Sequence, residues 1–193
     1  ALPISSKEVP SVSVDLDVIV EAFSGDYPRE GWTMTASHKL PINTNNPEKN
    51  SIGAALDGDL TTNFCLVRPG KTNGSGDDKV SVPSGATIFF IVDMKEPREV
   101  DYFRIHHRDN TQEFIRYRKF DQILGSNDNV TFTEIANNVV VPDAAVNAVD
   151  ITVNIPIPLS NYRYIKFTAG SSGCFNPSRG NTVQIKELYL GKQ

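Results

Sequence analysis

The sequence predicts an all-β fold, an antiparallel jelly-roll sandwich, and two observations carry this prediction. Short segments rich in β-branched and aromatic residues follow one another along the 193 residues, and no segment shows a convincing helical periodicity. Segments rich in Gly, Asn, Asp, Ser and Pro separate these runs, as turns between strands do. Many short strands without intervening helices are typical of a sandwich or jelly roll and exclude a parallel α/β fold.

The strands are predicted from local patterns, taken in chain order. Residues 87–93 form a continuous apolar run, whereas residues 100–107 alternate, with Phe103 and Ile105 on one face. Further strands are predicted at residues 119–126, 130–136, 148–155, 162–169 and 182–190. From these phases we expect a core that contains Phe89, Ile91, Phe103, Ile105, Leu124, Ile135, Ile151, Ile165, Phe167 and Leu188.

The first thirty residues differ from the rest of the chain. An alternation at residues 12–17 resembles a strand, but the stretch from residue 24 to 31 breaks the pattern. We therefore assign residues 1–30 to a tether, or to a strand from a preceding domain, and residues 31–193 to the sandwich. Trp32 is expected to pack in the core of this domain.

Charge and apolar patterning disfavour two classes of partner. The net charge of −4 and the pI of about 5.4 argue against nucleic acid and anionic membranes, because both require a basic surface. The longest apolar run, Ile88 to Val92, is far too short to cross a bilayer, so direct membrane insertion is not expected. Cys65 and Cys174 lack zinc-ligand spacing and are either free and buried or joined by one long-range disulfide.

The segment from Ala54 to Phe64 contains an oxygen-rich turn that suits a hard cation. Asp57 and Asp59 flank Gly58, which permits a tight turn, and Thr62 follows three residues later. Carboxylate, hydroxyl and carbonyl oxygens are the ligands that calcium prefers. Asp-Gly is also common in ordinary turns, so the segment alone leaves both interpretations open.

Five motifs in a fixed order place this turn in a wider context. They are Leu56-Asp-Gly-Asp-x-x-Thr-x-Phe64, Ile91-Val-Asp93, Ser126-Asn-Asp-Asn-Val-Thr-Phe132, Arg163-Tyr-Ile-Lys-Phe167 and Ile185-Lys-Glu-Leu-Tyr-Leu-Gly191. This series resembles the discoidin family, also called coagulation factor 5/8 type C, and is similar to family 32 carbohydrate-binding modules. The chain departs from the family pattern at Phe64 and Phe132, where Trp is usual, and at Asn129, which replaces a turn Gly.

The resemblance implies a galactose-binding-domain-like sandwich with one structural calcium ion. Its ligands would be the side chains of Asp57, Thr62 and Glu187, and Thr62 would also bind through its carbonyl oxygen. Backbone carbonyls would come from Ala54, Asp59 and Lys186. Because Glu187 belongs to the last predicted strand, the ion would tie an early loop to the C-terminal edge of the sheet.

The resemblance also implies a glycan site on loops at one end of the sandwich. Arg108 falls where relatives often carry an arginine that bonds sugar hydroxyls, and Phe175 falls at the position of a stacking aromatic residue. Further candidate ligand-binding residues are Asn110, Glu113, Asn176 and His106. His106 is expected to point outward, whereas His107 shares a face with Phe103 and Ile105 and is expected at the edge of the core.

We therefore expect a non-catalytic carbohydrate-binding module of an exported bacterial protein, extracellular or at the cell surface, with a glycan as partner. Other domains of a larger chain would be further partners. The alternatives are an adhesion domain that binds a protein or a lipid and, with less support, a glycoside hydrolase. Asp57 and Asp59 form the best carboxylate pair, but the metal explains them better than catalysis does, so no enzymatic activity is expected.

Overall fold

The computed structural model of the protein describes residues 24–42, 50–108, 116–142, 153–174 and 180–193. It confirms the predicted antiparallel β-sandwich. The strands are β1 (Gly25–Asp26), β2 (Thr33–Ala36), β3 (Phe64–Val67), β4 (Thr72–Asn73), β5 (Val80–Ser81), β6 (Ile88–His107), β7 (Lys119–Ser126), β8 (Thr133–Val140), β9 (Ile155–Ala169) and β10 (Thr182–Lys192). Short 3-10 turns span Ala54–Leu56, Gly76–Asp78 and Ser171–Gly173.

Eight strands form one extensive antiparallel sheet around the long strand β6. The hydrogen-bonded order is β1-β10-β6-β9-β7-β8, while β2 also pairs with β6 and β3 with β10. One edge of β6 pairs with β9, and its other edge pairs first with β2 and then with β10. β4 and β5 form a separate two-stranded sheet. Among the described residues, no helix has the length and apolar character needed to cross a bilayer.

The observed strand bounds differ from the predicted ones mainly in length. β7 has the predicted bounds, while β6 joins the two strands predicted at residues 87–93 and 100–107. β9 extends the strand predicted at residues 162–169 toward the N-terminus. Most of the strand predicted at residues 148–155 lies outside the described residues.

The inward-facing residues of β6 correct part of the predicted core. Phe89 and Ile91 are only half-buried, whereas Phe90 and Val92 are completely buried. The apolar run contains no alternation, so its phase could not be derived from the pattern. The inward residues change from even to odd numbers where the register against β9 shifts, between Val100 and Tyr102, so Phe103 and Ile105 are buried as predicted.

Some of the remaining core predictions are confirmed and others are wrong. In β7, Ile123 is buried in place of Leu124, which is half-buried, and Ile135 in β8 is half-buried as well. Ile165, Phe167, Leu188 and Trp32 are buried as predicted, and Ile151 lies outside the described residues.

Residues 24–30, which we assigned to the tether, pack on the sandwich. Gly25 and Asp26 pair with the end of β10. Tyr27 is buried, and its hydroxyl donates a hydrogen bond of 2.8 Å to the carbonyl oxygen of Glu99. Residues on both sides of the predicted division after residue 30 therefore contact the sandwich. Residues 1–23 lie outside the described residues.

Candidate functional site

The loop after the 3-10 turn at Ala54–Leu56 carries most of the predicted cation ligands. Ala54 and Ala55 are completely buried, which anchors the turn to the core. Gly58 adopts a φ of +78°, a conformation that residues with side chains rarely adopt. The chain thus turns sharply after Asp57, which remains exposed.

Hydrogen bonds join Asp57, Asp59 and Thr62 into one cluster. Asp57 Oδ1 accepts a hydrogen bond of 2.8 Å from the Asp59 amide, and Oδ2 accepts one of 2.8 Å from the Thr62 hydroxyl. The same hydroxyl oxygen lies 2.9 Å from the carbonyl oxygen of Asp59. A carboxylate, a hydroxyl and a carbonyl that the sequence suggested as ligands are therefore adjacent.

Glu187, on β10, is completely buried beside this loop. Its Oε2 accepts a hydrogen bond from the Arg29 guanidinium, whereas its buried Oε1 has no hydrogen-bond partner of normal geometry among the described residues. Burial raises the pKa of the Glu187 carboxyl, the Arg29 charge and the Gly58 amide act to lower it, and the Asp57 charge acts to raise it. Oε1 is therefore a buried acceptor in the field of a second carboxylate.

These donors fit calcium better than a transition metal. Within the described ranges, no three His, Cys, Asp or Glu side chains come together to hold a metal ion. The available donors are the carboxylates of Asp57 and Glu187, the Thr62 hydroxyl and backbone carbonyls, all of which are oxygens. Lys186 is the additional residue of a β-bulge, because the register of β10 against β6 shifts between Ile185 and Glu187.

Of the residues predicted to bind a glycan, the structure describes Arg108 and His106. Arg108 directly follows β6, is half-buried, and donates a hydrogen bond of 2.9 Å from one terminal nitrogen to Gln184 Oε1. His106 is buried rather than pointing outward as expected. Its cross-strand partner is the fully buried Glu187, and cross-strand partners share a face of the sheet, so His106 lies on a covered face.

The ends of the two predicted ligand loops lie side by side, although Asn110, Glu113, Phe175 and Asn176 are outside the described residues. Tyr117 and Cys174 form an isolated antiparallel β-bridge, and the Arg118 amide donates a hydrogen bond of 2.6 Å to Gly173 O. Tyr117 N donates to His107 Nε2 at 3.3 Å, which joins the end of β6 to this bridge. We call Arg108, Tyr117 and Cys174, from which the loops at 109–115 and 175–179 extend, the loop stems.

Two buried arginines near the loop stems were not predicted as site residues. Arg68 is 2% exposed and continues β3, where its amide donates a hydrogen bond of 2.9 Å to Asn181 O. Arg116 is 6% exposed, and its Nε has no hydrogen-bond partner among the described residues. The sequence shows only an arginine beside a turn in each case, a pattern typical of solvent-exposed residues.

Cys65 and Cys174 are both buried and free. Burial raises the pKa of Cys65 to about 12, so its thiol stays protonated at neutral pH. The pKa of Cys174 is raised for the same reason. Of the two interpretations left open by the sequence, the structure has free buried thiols, and no disulfide joins Cys65 to Cys174.

The fold and the oxygen-rich loop together define a jelly-roll domain of the discoidin type. A family model described as the F5/8 type C domain matches residues 33–187, and the chain therefore belongs to this family. No curated protein sequence matches at a significant level. The expected family resemblance is thus confirmed.

Solved structures of low sequence identity share the fold. A putative chitobiase fragment from Bacteroides thetaiotaomicron has a TM-score of 0.63 at 15% identity, with 90% of this chain and 96% of that chain covered. The C-terminal domain of a chitobiase from Bacteroides fragilis has a TM-score of 0.59 at 15% identity, covering 87% and 98%. A family 32 carbohydrate-binding module from Clostridium perfringens, solved in complex with galactose, has a TM-score of 0.55 at 18% identity, covering 88% and 100%.

Proposed function

We propose that this chain is a non-catalytic carbohydrate-binding module, part of an exported protein at the cell surface or outside the cell. The observation that carries the proposal is the meeting of the loop stems, where Arg108 is held by Gln184 beside the bridge between Tyr117 and Cys174. The described ends of the two segments that contain the candidate sugar-binding residues therefore lie next to each other. The galactose complex of a module with the same fold supports a sugar as ligand.

In this proposal Arg108 donates hydrogen bonds to sugar hydroxyls and Phe175 stacks on the apolar face of the ring. Asn110, Glu113 and Asn176 supply further polar contacts from the same two loops. The Gln184 contact limits the conformations of Arg108, which reduces the entropy lost on binding. Since both candidate catalytic acids, Asp57 and Asp59, belong to the cation loop, the module binds its glycan without cleaving it.

Glycan-array binding followed by calorimetric titration in calcium-containing buffer tests this function. We expect galactose-type glycans to bind weakly, and Arg108→Ala and Phe175→Ala each to reduce affinity by about tenfold or more, because each removes a charged hydrogen bond or a stacking surface. Arg98→Ala is the matched control, since Arg98 lies ten residues earlier, on the strand β6 that Arg108 directly follows. Wild-type affinity in both loop variants, or binding to no glycan, would contradict the proposal.

The second part of the proposal is a structural calcium ion. Asp57, Thr62 and Glu187 would hold it with their side chains, and Ala54, Asp59 and Lys186 with their backbone carbonyls. The support is Glu187 Oε1, a buried acceptor without a hydrogen-bond partner of normal geometry among the described residues, on a carboxyl whose pKa the Asp57 charge acts to raise. When bound, the ion would neutralise these two carboxylates and fasten the loop to β10.

Melting with calcium or with chelator tests this site, because a ligand that binds only the folded state raises its stability. We expect chelator to lower the melting temperature of the wild type, and Asp57→Asn to remove this response. Asp59→Asn is the matched control, since only the Asp59 backbone carbonyl would bind the ion and Asn keeps the oxygen that caps the Thr61 amide. If neither calcium nor chelator changes the melting temperature of the wild type, the calcium site is contradicted.

A further inference from the structure

One arginine of the N-terminal segment contacts two of the segments that form the proposed cation site. A single terminal nitrogen of Arg29 donates to the carbonyl oxygens of Ala55 at 3.2 Å and Leu188 at 3.0 Å, and to Glu187 Oε2. The same nitrogen therefore joins the residues before β2, the 3-10 turn that begins the cation loop, and β10. Three acceptors, one on the 3-10 turn and two on β10, fix the position of this charge.

The two oxygens of Glu187 have different surroundings. Oε2 is neutralised by Arg29, while Oε1 is buried without a hydrogen-bond partner of normal geometry in the described part of the chain. Asp57 is close enough to Glu187 for the two charges to repel each other. One carboxylate is thus shared between an internal cation and the position proposed for calcium.

We propose that Arg29 is a built-in counter-cation for Glu187, which keeps this carboxylate neutralised without calcium and competes electrostatically with calcium for it. This inference rests on the proposed calcium site. A buried carboxylate without a counter-charge strongly destabilises a fold, so the Arg29 guanidinium preserves the folded state when calcium is absent. Two positive charges on opposite oxygens of one carboxylate repel each other, so each weakens the binding of the other.

The surroundings of Arg29 provide a matched control. Its guanidinium carbon lies 4.2 Å from the ring centroid of Tyr189, and that of Arg104 lies 4.7 Å from the same centroid. Arg104 pairs with Asp26. Among the described residues, no contact joins Arg104 to Glu187. Replacing either arginine by Met removes one positive charge from the same ring, but only Arg29→Met removes the charge from the carboxylate.

Calorimetric calcium titrations and melting curves with calcium or chelator test the inference. We expect Arg29→Met to melt well below the wild type in chelator, and calcium to recover more of its melting temperature than it adds to the wild type. Its calcium affinity should rise about tenfold, within the range of measured couplings between sites. Arg104→Met should bind calcium with wild-type affinity, and Arg29→Lys, which keeps the charge, should respond like the wild type.

Any other result contradicts either the role of Arg29 or the calcium site itself. Equal or weaker calcium binding by Arg29→Met, while the wild type binds calcium, overturns the role of Arg29 and leaves the calcium site standing. Calcium binding by none of the proteins overturns the calcium site and this inference together. If Arg29→Met does not fold in chelator, Arg29→Gln, which keeps a donor without the charge, must show the same tightening.

Discussion

Replacement of Phe90 should strongly destabilise the described core of this domain. The ring is completely buried and stacks on Phe167, with centroids 5.0 Å apart and planes 18° apart. The edges of Phe64 and Phe120 approach it with centroid distances of 5.5 and 5.9 Å. Phe90→Ala therefore removes a ring that connects β3, β7 and β9 to β6.

The expected loss follows from these contacts. Burial and cavity formation make Phe→Ala cost about 3–5 kcal/mol in a core, and we expect a value near 4 because several aromatic contacts are lost together. For a domain of this length, each kcal/mol lowers the melting temperature by about 2–4 °C, so Phe90→Ala should melt about 8–16 °C below the wild type. Urea unfolding at pH 7 with fixed calcium concentration measures the free energy directly.

Phe89→Ala is the control, because Phe89 has the same chemistry one position earlier on β6. Its ring is half-buried on the other face, with Lys166 Nζ 4.1 Å from its centroid. Loss of a partly exposed cation–π contact should cost about 1 kcal/mol. If Phe89→Ala destabilises the protein as much as Phe90→Ala, the assignment of Phe90 to the core and of Phe89 to the other face of β6 is wrong.

Two other changes should affect stability in defined ways. Gly125→Ala places a methyl group where the Tyr162 ring lies, so we expect a loss of about 1–3 kcal/mol in urea unfolding, and a stable variant would show that the ring can move. Arg163 bonds to Asp93 through two nitrogens, at 2.8 and 3.0 Å, and holds the pKa of Asp93 at about 2. Since that pKa is below the ordinary 3.8, this stability is present at neutral pH and is lost as the pH falls from about 4 to 2. Arg163→Met should be less stable than the wild type at pH 7, by an amount that solvent screening keeps small, and should show a weaker dependence on pH in that window.

The fold could be predicted from the sequence wherever the pattern itself determines a face. Phe103 and Ile105 alternate with polar residues, which fixes their direction, and both are buried. The run from Ile88 to Val92 is apolar at every position, so either phase fits the sequence equally well. Only packing against the other strands selects Phe90 over Phe89, and packing is a property of the whole fold.

In the candidate site, contacts between residues close in the sequence could be predicted, and contacts between residues far apart in the sequence could not. Asp57, Asp59 and Thr62 lie within six positions of one another, so a turn that brings them together could be predicted from their spacing. The contact between Arg29 and Glu187 spans 158 positions and has no local signal. The sequence does not predict it, because residues 1–30 were assigned to a tether or to a strand from a preceding domain.

Acid should weaken the fold at the loop stems through His107. The ring is 5% exposed, and its Nε2 accepts the hydrogen bond from the Tyr117 amide, a role that only the neutral imidazole can fill. Burial, with smaller contributions from the Arg116 and His106 charges, lowers the pKa of His107 to about 3. An unfolded His protonates near pH 6.5, so protons bind the unfolded chain first, and stability falls as the pH decreases from about 6.5 toward 3.

The size of this effect can be measured by urea unfolding between pH 7.5 and pH 5. We expect His107 to account for a loss of about 2 kcal/mol at pH 5, since each pH unit inside the window contributes about 1.4 kcal/mol. His107→Gln keeps an acceptor but cannot protonate, so its stability should depend less on pH, although it should be lower at pH 7.5. Part of the dependence should remain, because burial also lowers the pKa of His38. A variant with the full wild-type dependence would show that His107 is already protonated, or already exposed, in the folded domain.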